Sequence, residues 1–199
     1  MIINEDFQPK RGSDKRLPPG QYETRDFPVL SLGPTPEVET DRWKLEVTGL
    51  VTTPLSFTWD EFLKLPLEHV RKDIHCVTKW SKFDTSWEGI SLDELMKRAG
   101  ISESATHLIA HSYDGYTTNL PIEDIRNGQA FVAVHYEGEE IEPQHGGPAR
   151  LFVPHLYFWK SAKWLKKLEF IDRDIPGFWE VRGYHNYGDP WQEQRYSFD

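Results

Sequence analysis

Every helix signalled in this chain is short, and that restricts the fold more than any other pattern in it. Thr58-Trp59-Asp60-Glu61 and Ser91-Leu92-Asp93-Glu94 are capping boxes, in which a hydroxyl residue is followed three positions on by a glutamate that can reach back to its backbone N–H. Phe57 with Phe62, and Ile90 with Leu95, stand where a hydrophobic staple would fix each helix start. Pro66 stops the first helix, and the second, turned inward by Leu95, Met96 and Ala99, closes at Gly100. Elsewhere the signals are those of strands. Trp43, Leu45 and Val47 alternate with Lys44, Glu46 and Thr48 up to Gly49, and strand-like runs cover 107–111, 116–120, 130–136, 150–153 and 165–171. Brief helices among many short strands predict an α+β fold of mixed sheets.

A length of 199 residues suits one shared core. Pro18-Pro19-Gly20 and Gly33-Pro34-Thr35-Pro36 punctuate a charged, proline-rich start, so residues 1–40 are expected to form an extended arm packed on a domain of residues 41–199. The tail from Pro176, rich in Trp, Tyr and Gly, reads as ordered loop. The 23 basic and 32 acidic residues leave a net charge of −9, which repels nucleic acid and anionic membrane surfaces. An anionic ligand therefore needs a local basic patch. No apolar leader and no run approaching ~18 apolar residues is present, so the chain is expected to be cytoplasmic, with no membrane partner.

The one cysteine, Cys76, excludes an internal disulfide, a CxxC pair, a cysteine-held iron–sulfur cluster and a CxxCH haem attachment. It ends a segment in which Val70, Ile74 and Cys76 share one parity and Arg71, Asp73 and His75 the other, so its side chain should point inward at a strand end. Core filler is the commonest fate of such a cysteine. A zinc site is disfavoured because His75 and Cys76, being adjacent, face opposite sides of a strand, and no HExxH or CxxC accompanies them. A cysteine hydrolase would need a base that no motif identifies. Two further segments carry chemistry. His145-Gly146-Gly147-Pro148-Ala149-Arg150 joins a flexible turn to a strand start and presents a planar donor fork. Phe158-Trp159-Lys160-Ser161-Ala162-Lys163-Trp164 sets two cations and a hydroxyl among aromatics, either as a phosphate cradle or as a strand with solvent-facing lysines.

Taken together, HCVTKWS around Cys76, HSYDGYTTNLP from His111, HGGPAR from His145 and FWKSAKW from Phe158 resemble, in order, the sulfite-oxidase molybdopterin domain. The likeness is strongest to the family's small stand-alone bacterial branch and runs from about Arg16 through GFWE, GYH and GDPW of the tail. The resemblance implies a single-domain sulfite-oxidase-type fold binding one Mo-molybdopterin (one pyranopterin), with the Cys76 thiolate as metal ligand, a soft donor suited to that role. It places His111, Ser112, His145, Arg150, Lys160, Ser161 and Lys163 at the cofactor and its phosphate, and Tyr116 near the reacting oxygen. The implied reaction is oxygen-atom transfer to or from a small-molecule oxo donor or acceptor, with an external electron-transfer protein and no haem domain. A non-catalytic cofactor carrier is the alternative. Val77, Thr78, Lys79 and Trp80 stand where true sulfite oxidases would hold sulfite with arginines, so the namesake substrate is not expected. An aromatic pocket fed by Trp80, Tyr116, Tyr157 and Trp159 hints instead at a small uncharged or sulfoxide-like substrate.

Overall fold

The computed structural model describes residues 16–199; the part of the expected arm before Arg16 lies outside the described residues. The strands are β1 (Tyr22–Glu23), β2 (Lys44–Gly49), β3 (Leu55–Thr58), β4 (Glu68–His75), β5 (Trp80–Ser91), β6 (His107–Ser112), β7 (Thr117–Pro121), β8 (Phe131–Tyr136), β9 (Glu139–Glu140), β10 (Arg150–Phe152) and β11 (Leu165–Ile171). The helices are α1 (Trp59–Phe62) and α2 (Leu92–Ala99), supplemented by single 3-10 turns. This is the expected α+β arrangement.

Both helix starts follow their local signals. Glu61 Oε2 accepts from the Thr58 N–H at 2.9 Å, and the Phe57 and Phe62 rings pack 5.9 Å apart. The first helix nevertheless ends at Phe62, well before Pro66, because one turn suffices to bury that ring. In α2, Ser91 Oγ accepts from the Glu94 N–H, and Gly100 closes the helix in the left-handed conformation at φ 64°.

One sheet runs β3-β2-β11-β6-β7; the other has β1-β5-β8-β10 as its path, with β4 also on β5 and β9 on β8. Five expected strand runs appear as β6, β7, β8, β10 and β11, with ends shifted by at most one residue. The longest strand, β5, has no clean alternation in its sequence, because Asp84 takes a left-handed φ of 56° and a bulge falls between Glu88 and Gly89. Its inward positions therefore change parity along its length.

The main core lies between the sheets, where Leu45 and Val47 of β2, Leu168 and Phe170 of β11 and the apolar face of α2 meet Val132 and Val134 of β8. A second, smaller cluster occupies the other face of the β5–β8 sheet and contains Phe131 and Ala133 of β8 with Ile74, Cys76, Trp80, Trp87, Phe152 and Phe158. Successive β8 side chains point to opposite faces, and both faces are covered, which is why this strand reads as an unbroken apolar run. The cysteine belongs to this second cluster.

Candidate functional site

Cys76 sits in the tight turn between β4 and β5. Its N–H donates to the Trp80 carbonyl at 2.8 Å, its carbonyl accepts from the Lys79 N–H at 3.0 Å, and Lys79 adopts a positive φ of 79° to complete the reversal. The thiol is 6% exposed, and Sγ accepts a hydrogen bond from the Thr78 hydroxyl at 3.1 Å. Burial raises the thiol pKa, while the Thr78 hydroxyl, the backbone N–H groups of Val77 and Thr78 and the Arg195 charge pull the other way. The net effect keeps the proton on sulfur until something positive replaces it, as a soft metal does.

The sulfur faces a pocket of about 300 Å³ that also receives Ser112, Tyr116, His145, Arg150, Ser161 and Lys163. Seven of the nine expected site residues, Cys76 included, are thus brought together. Arg150 is the electrostatic centre. It is 1% exposed, donates to the His145 carbonyl at 2.6 Å and the Ser161 carbonyl at 2.7 Å, and lies 4.2 Å above the Phe158 ring. Among the described residues it has no carboxylate partner. Burial pushes its pKa down to about 9, which leaves it charged at neutral pH. Lys163 donates to the carbonyls of Leu30 and Gln144 and to the Ser31 hydroxyl, all neutral acceptors, and burial beside Arg150 lowers it to about 8. Two cations with no ion-pair partner among the described residues therefore share this pocket, with the Asp114 carboxylate also on its wall.

His145 stacks on Phe27, with ring centroids 4.0 Å apart at 9°. Burial, Arg150 and Lys163 together press its pKa to about 4, so its imidazole is neutral and offers a polar edge without charge. The Tyr116 phenol donates to the Trp159 carbonyl at 2.6 Å, and burial followed by Glu180 raises its pKa so far that it keeps its proton. Ser161 Oγ accepts from the Val153 N–H at 2.9 Å and retains its own proton for a ligand. Two buried groups on the pocket wall, Ser112 Oγ and Trp80 Nε1, have no hydrogen-bond partner in the protein. Unpaired buried donors are costly, so they point to a polar ligand that completes them.

Two expected residues lie outside this pocket. His111 faces away and pairs with Glu169 of β11 at 2.8 Å. The expected alternatives for the FWKSAKW segment were a cradle or a strand with exposed lysines, and the chain takes a third course: Phe158–Lys160 is a 3-10 turn that sends Lys160 into the interior. There its ammonium pairs with Glu180 at 2.7 Å and donates to the carbonyl and side-chain oxygens of Asn119 at 3.0 Å each, all acceptors of the protein itself. Lys163, three residues on, is the lysine that reaches the pocket. Of the expected aromatics, Trp80, Tyr116 and Trp159 line the pocket, whereas Tyr157 stacks behind Trp159 at 5.3 Å. Phe27, Trp164, Trp179 and Tyr184 complete the wall and were not anticipated; the aromatic density of the GFWE and GYH tail was the available signal for the last two.

A buried soft donor beside two cations without ion-pair partners and unsatisfied polar groups suits an anionic metal cofactor, the mark of a cofactor-binding protein. Comparison agrees: the oxidoreductase molybdopterin binding domain model matches residues 32–179, and the chain belongs to that family. Its cofactor is accordingly Mo-molybdopterin, and the residues present fit it. The chain is 43% identical over 97% of its length to the uncharacterized oxidoreductase YuiH of Bacillus subtilis, 99% of which is covered. It is 31% identical over 73% of its length to the protein-methionine-sulfoxide reductase catalytic subunit MsrP of Burkholderia mallei, of which it spans 49%. The sulfane dehydrogenase SoxCD of Paracoccus pantotrophus shares the fold, with a TM-score of 0.69 at 22% identity over 75% of this chain and 43% of that one.

Proposed function

We propose that this protein is a molybdenum oxidoreductase that transfers an oxygen atom to or from a small substrate, with the Cys76 thiolate as the protein ligand to the metal. The observation that carries the reading is that the only cysteine of the chain opens into the pocket holding the unpaired Arg150 and Lys163. When bound, the cofactor supplies a metal that changes oxidation state by two as an oxygen atom passes. The chain's own residues do the rest. Arg150 and Lys163 hold the anionic phosphate end, and Ser112, Ser161 and the neutral His145 supply hydrogen bonds along it. Phe27 and Phe158 cover the site from water, which strengthens each of those bonds. Tyr116, fixed by the Trp159 carbonyl, keeps its phenolic oxygen available to accept from a substrate or solvent proton. His111 and Lys160 have no part in this set.

The substrate is a small uncharged or sulfoxide-like molecule. Trp159, Trp179 and Tyr184 form an apolar wall, the residues after Cys76 include no arginine for a sulfite dianion, and the name of the MsrP relative points to sulfoxides. Electrons are exchanged with a separate protein, a reading supported by the lone cysteine, which leaves no cysteine-held cluster and no CxxCH haem attachment in this sequence. Among the described residues no helix is long and apolar enough to cross a membrane.

Metal and pterin analysis of protein from a molybdenum-replete host tests this reading, followed by assay of sulfoxides, N-oxides, nitrate and sulfite with redox dyes. About one molybdenum per chain is expected, lost in Cys76→Ser, with turnover on a sulfoxide. Protein with neither metal nor pterin refutes it; a full complement of cofactor with no turnover on any substrate favours a carrier.

A further inference from the structure

Segments from both ends of the described chain grip the turn that carries Cys76, and one buried arginine joins the grips. The Tyr22 N–H donates to the Lys79 carbonyl at 2.8 Å, and the Gln21 side-chain amide donates to the Cys76 carbonyl at 3.0 Å. From the tail, Arg195 donates through Nη1 to the Val77 carbonyl at 2.8 Å and through Nη2 to the Pro19 carbonyl at 3.2 Å. The rigid guanidinium fork thus pins the cysteine turn to the proline-rich segment beside it.

Arg195 is 7% exposed and stands 4.9 Å over the Tyr157 ring. The one carboxylate within 4.0 Å of its guanidinium among the described residues, that of Glu193, is 3.9 Å away on an exposed side chain. This buried cation is therefore weakly compensated, and its bond to the Val77 carbonyl holds it against the residue next to Cys76. It does not line the pocket, and it lies outside the family match of residues 32–179.

The geometry points to Arg195 as a positioning residue for the metal ligand. Its bond to Val77 fixes the direction in which Sγ enters the pocket, and its charge stabilises the more electron-rich state of the site. This inference rests on the assignment of Cys76 as the ligand. Reduction adds negative charge beside Arg195, so loss of the cation makes reduction harder and lowers the potential.

Redox titration of the holoprotein with mediators, followed by electron paramagnetic resonance of the one-electron-reduced molybdenum, separates the two effects. Arg195→Gln is expected to retain molybdenum, to show a lower midpoint potential and to shift the g-values, which report the direction of the sulfur. Arg195→Lys restores the charge without the fork, so it should return the potential towards wild type while the g-values stay shifted. An Arg195→Gln protein with wild-type potential and g-values overturns the inference. If that variant does not accumulate folded, Arg195→Lys decides alone, and unchanged g-values overturn it. Cys76→Ser is the independent control: unaltered metal content and spectrum would remove the thiolate assignment itself, whatever Arg195 does.

Discussion

Replacing Glu180 with leucine strips the counter-ion from Lys160, and the structure sets the size of the effect. Both side chains are 1% exposed, with Nζ and Oε1 2.7 Å apart. The same oxygen accepts from the Thr118 hydroxyl at 2.9 Å and from the Trp159 indole at 3.0 Å. After the substitution the ammonium keeps only neutral oxygens, and breaking one side of a buried pair typically costs about 3–5 kcal/mol. A second route gives the same ceiling. The lysine can escape by losing its proton, and neutralising an ordinary lysine at pH 7 costs about 5 kcal/mol. For a domain of this size the loss corresponds to a fall in Tm of roughly 6–20 °C. Burial already lowers the Lys160 pKa, with Glu180 opposing the shift. In the variant the folded lysine holds fewer protons than the unfolded one, so the deficit should shrink as pH rises towards 10. Urea unfolding at pH 7 and 9.5, with Lys160→Met and the double variant, completes the cycle. The double variant should be far less damaged than Glu180→Leu, because no charge remains buried. A Glu180→Leu loss below about 1 kcal/mol, or a double variant as damaged as the two singles together, refutes the reasoning.

Arg150→Met should change the fold's stability little, since removal of a buried cation offsets the two hydrogen bonds it gives to the His145 and Ser161 carbonyls, yet weaken cofactor retention by roughly 10-fold or more, the value of a charged hydrogen bond. Molybdenum and pterin remaining after gel filtration measure this, and undiminished retention would show that Arg150 holds no anion. Stability should fall as pH drops from about 6.5 to about 4. His75 and His145 are held neutral by burial, each with a folded pKa of about 4, so the unfolded chain takes up the extra protons in that window. The urea midpoint against pH tests this, and His75→Gln should flatten the slope; a slope unchanged in that variant counts against it. Gly49→Ala should cost more than the roughly 1–2 kcal/mol of a left-handed backbone, because Gly49 sits at φ +87° with its added Cβ 2.1 Å from the Phe170 carbonyl. An unfolding free energy within about 0.5 kcal/mol of wild type would contradict that close approach.

What the sequence determined by itself is whatever rests on near neighbours. The capping boxes at Thr58 and Ser91 join residues three apart, so the helix starts were legible. The period-two run of β2 was equally so, because a strand covered on one face must alternate. The inward parity of Cys76 and the concentration of Arg150 with Lys163 in short motifs were legible for the same reason. The tertiary structure decided what depends on partners far along the chain. Lys160 and Lys163 look equivalent in FWKSAKW, yet a 3-10 turn sends the first to Glu180, 20 positions later, and leaves the second to the pocket. His111 stands opposite Lys167 but is drawn to Glu169, two residues along β11, and β5 hides its inward face behind a bulge and a left-handed aspartate. The stacking of Phe27 on His145 and the grip of Arg195 on Val77 join segments more than 100 residues apart. Such contacts leave no period in the sequence. They exist only because folding brings both ends of the described chain against the turn that carries its one cysteine.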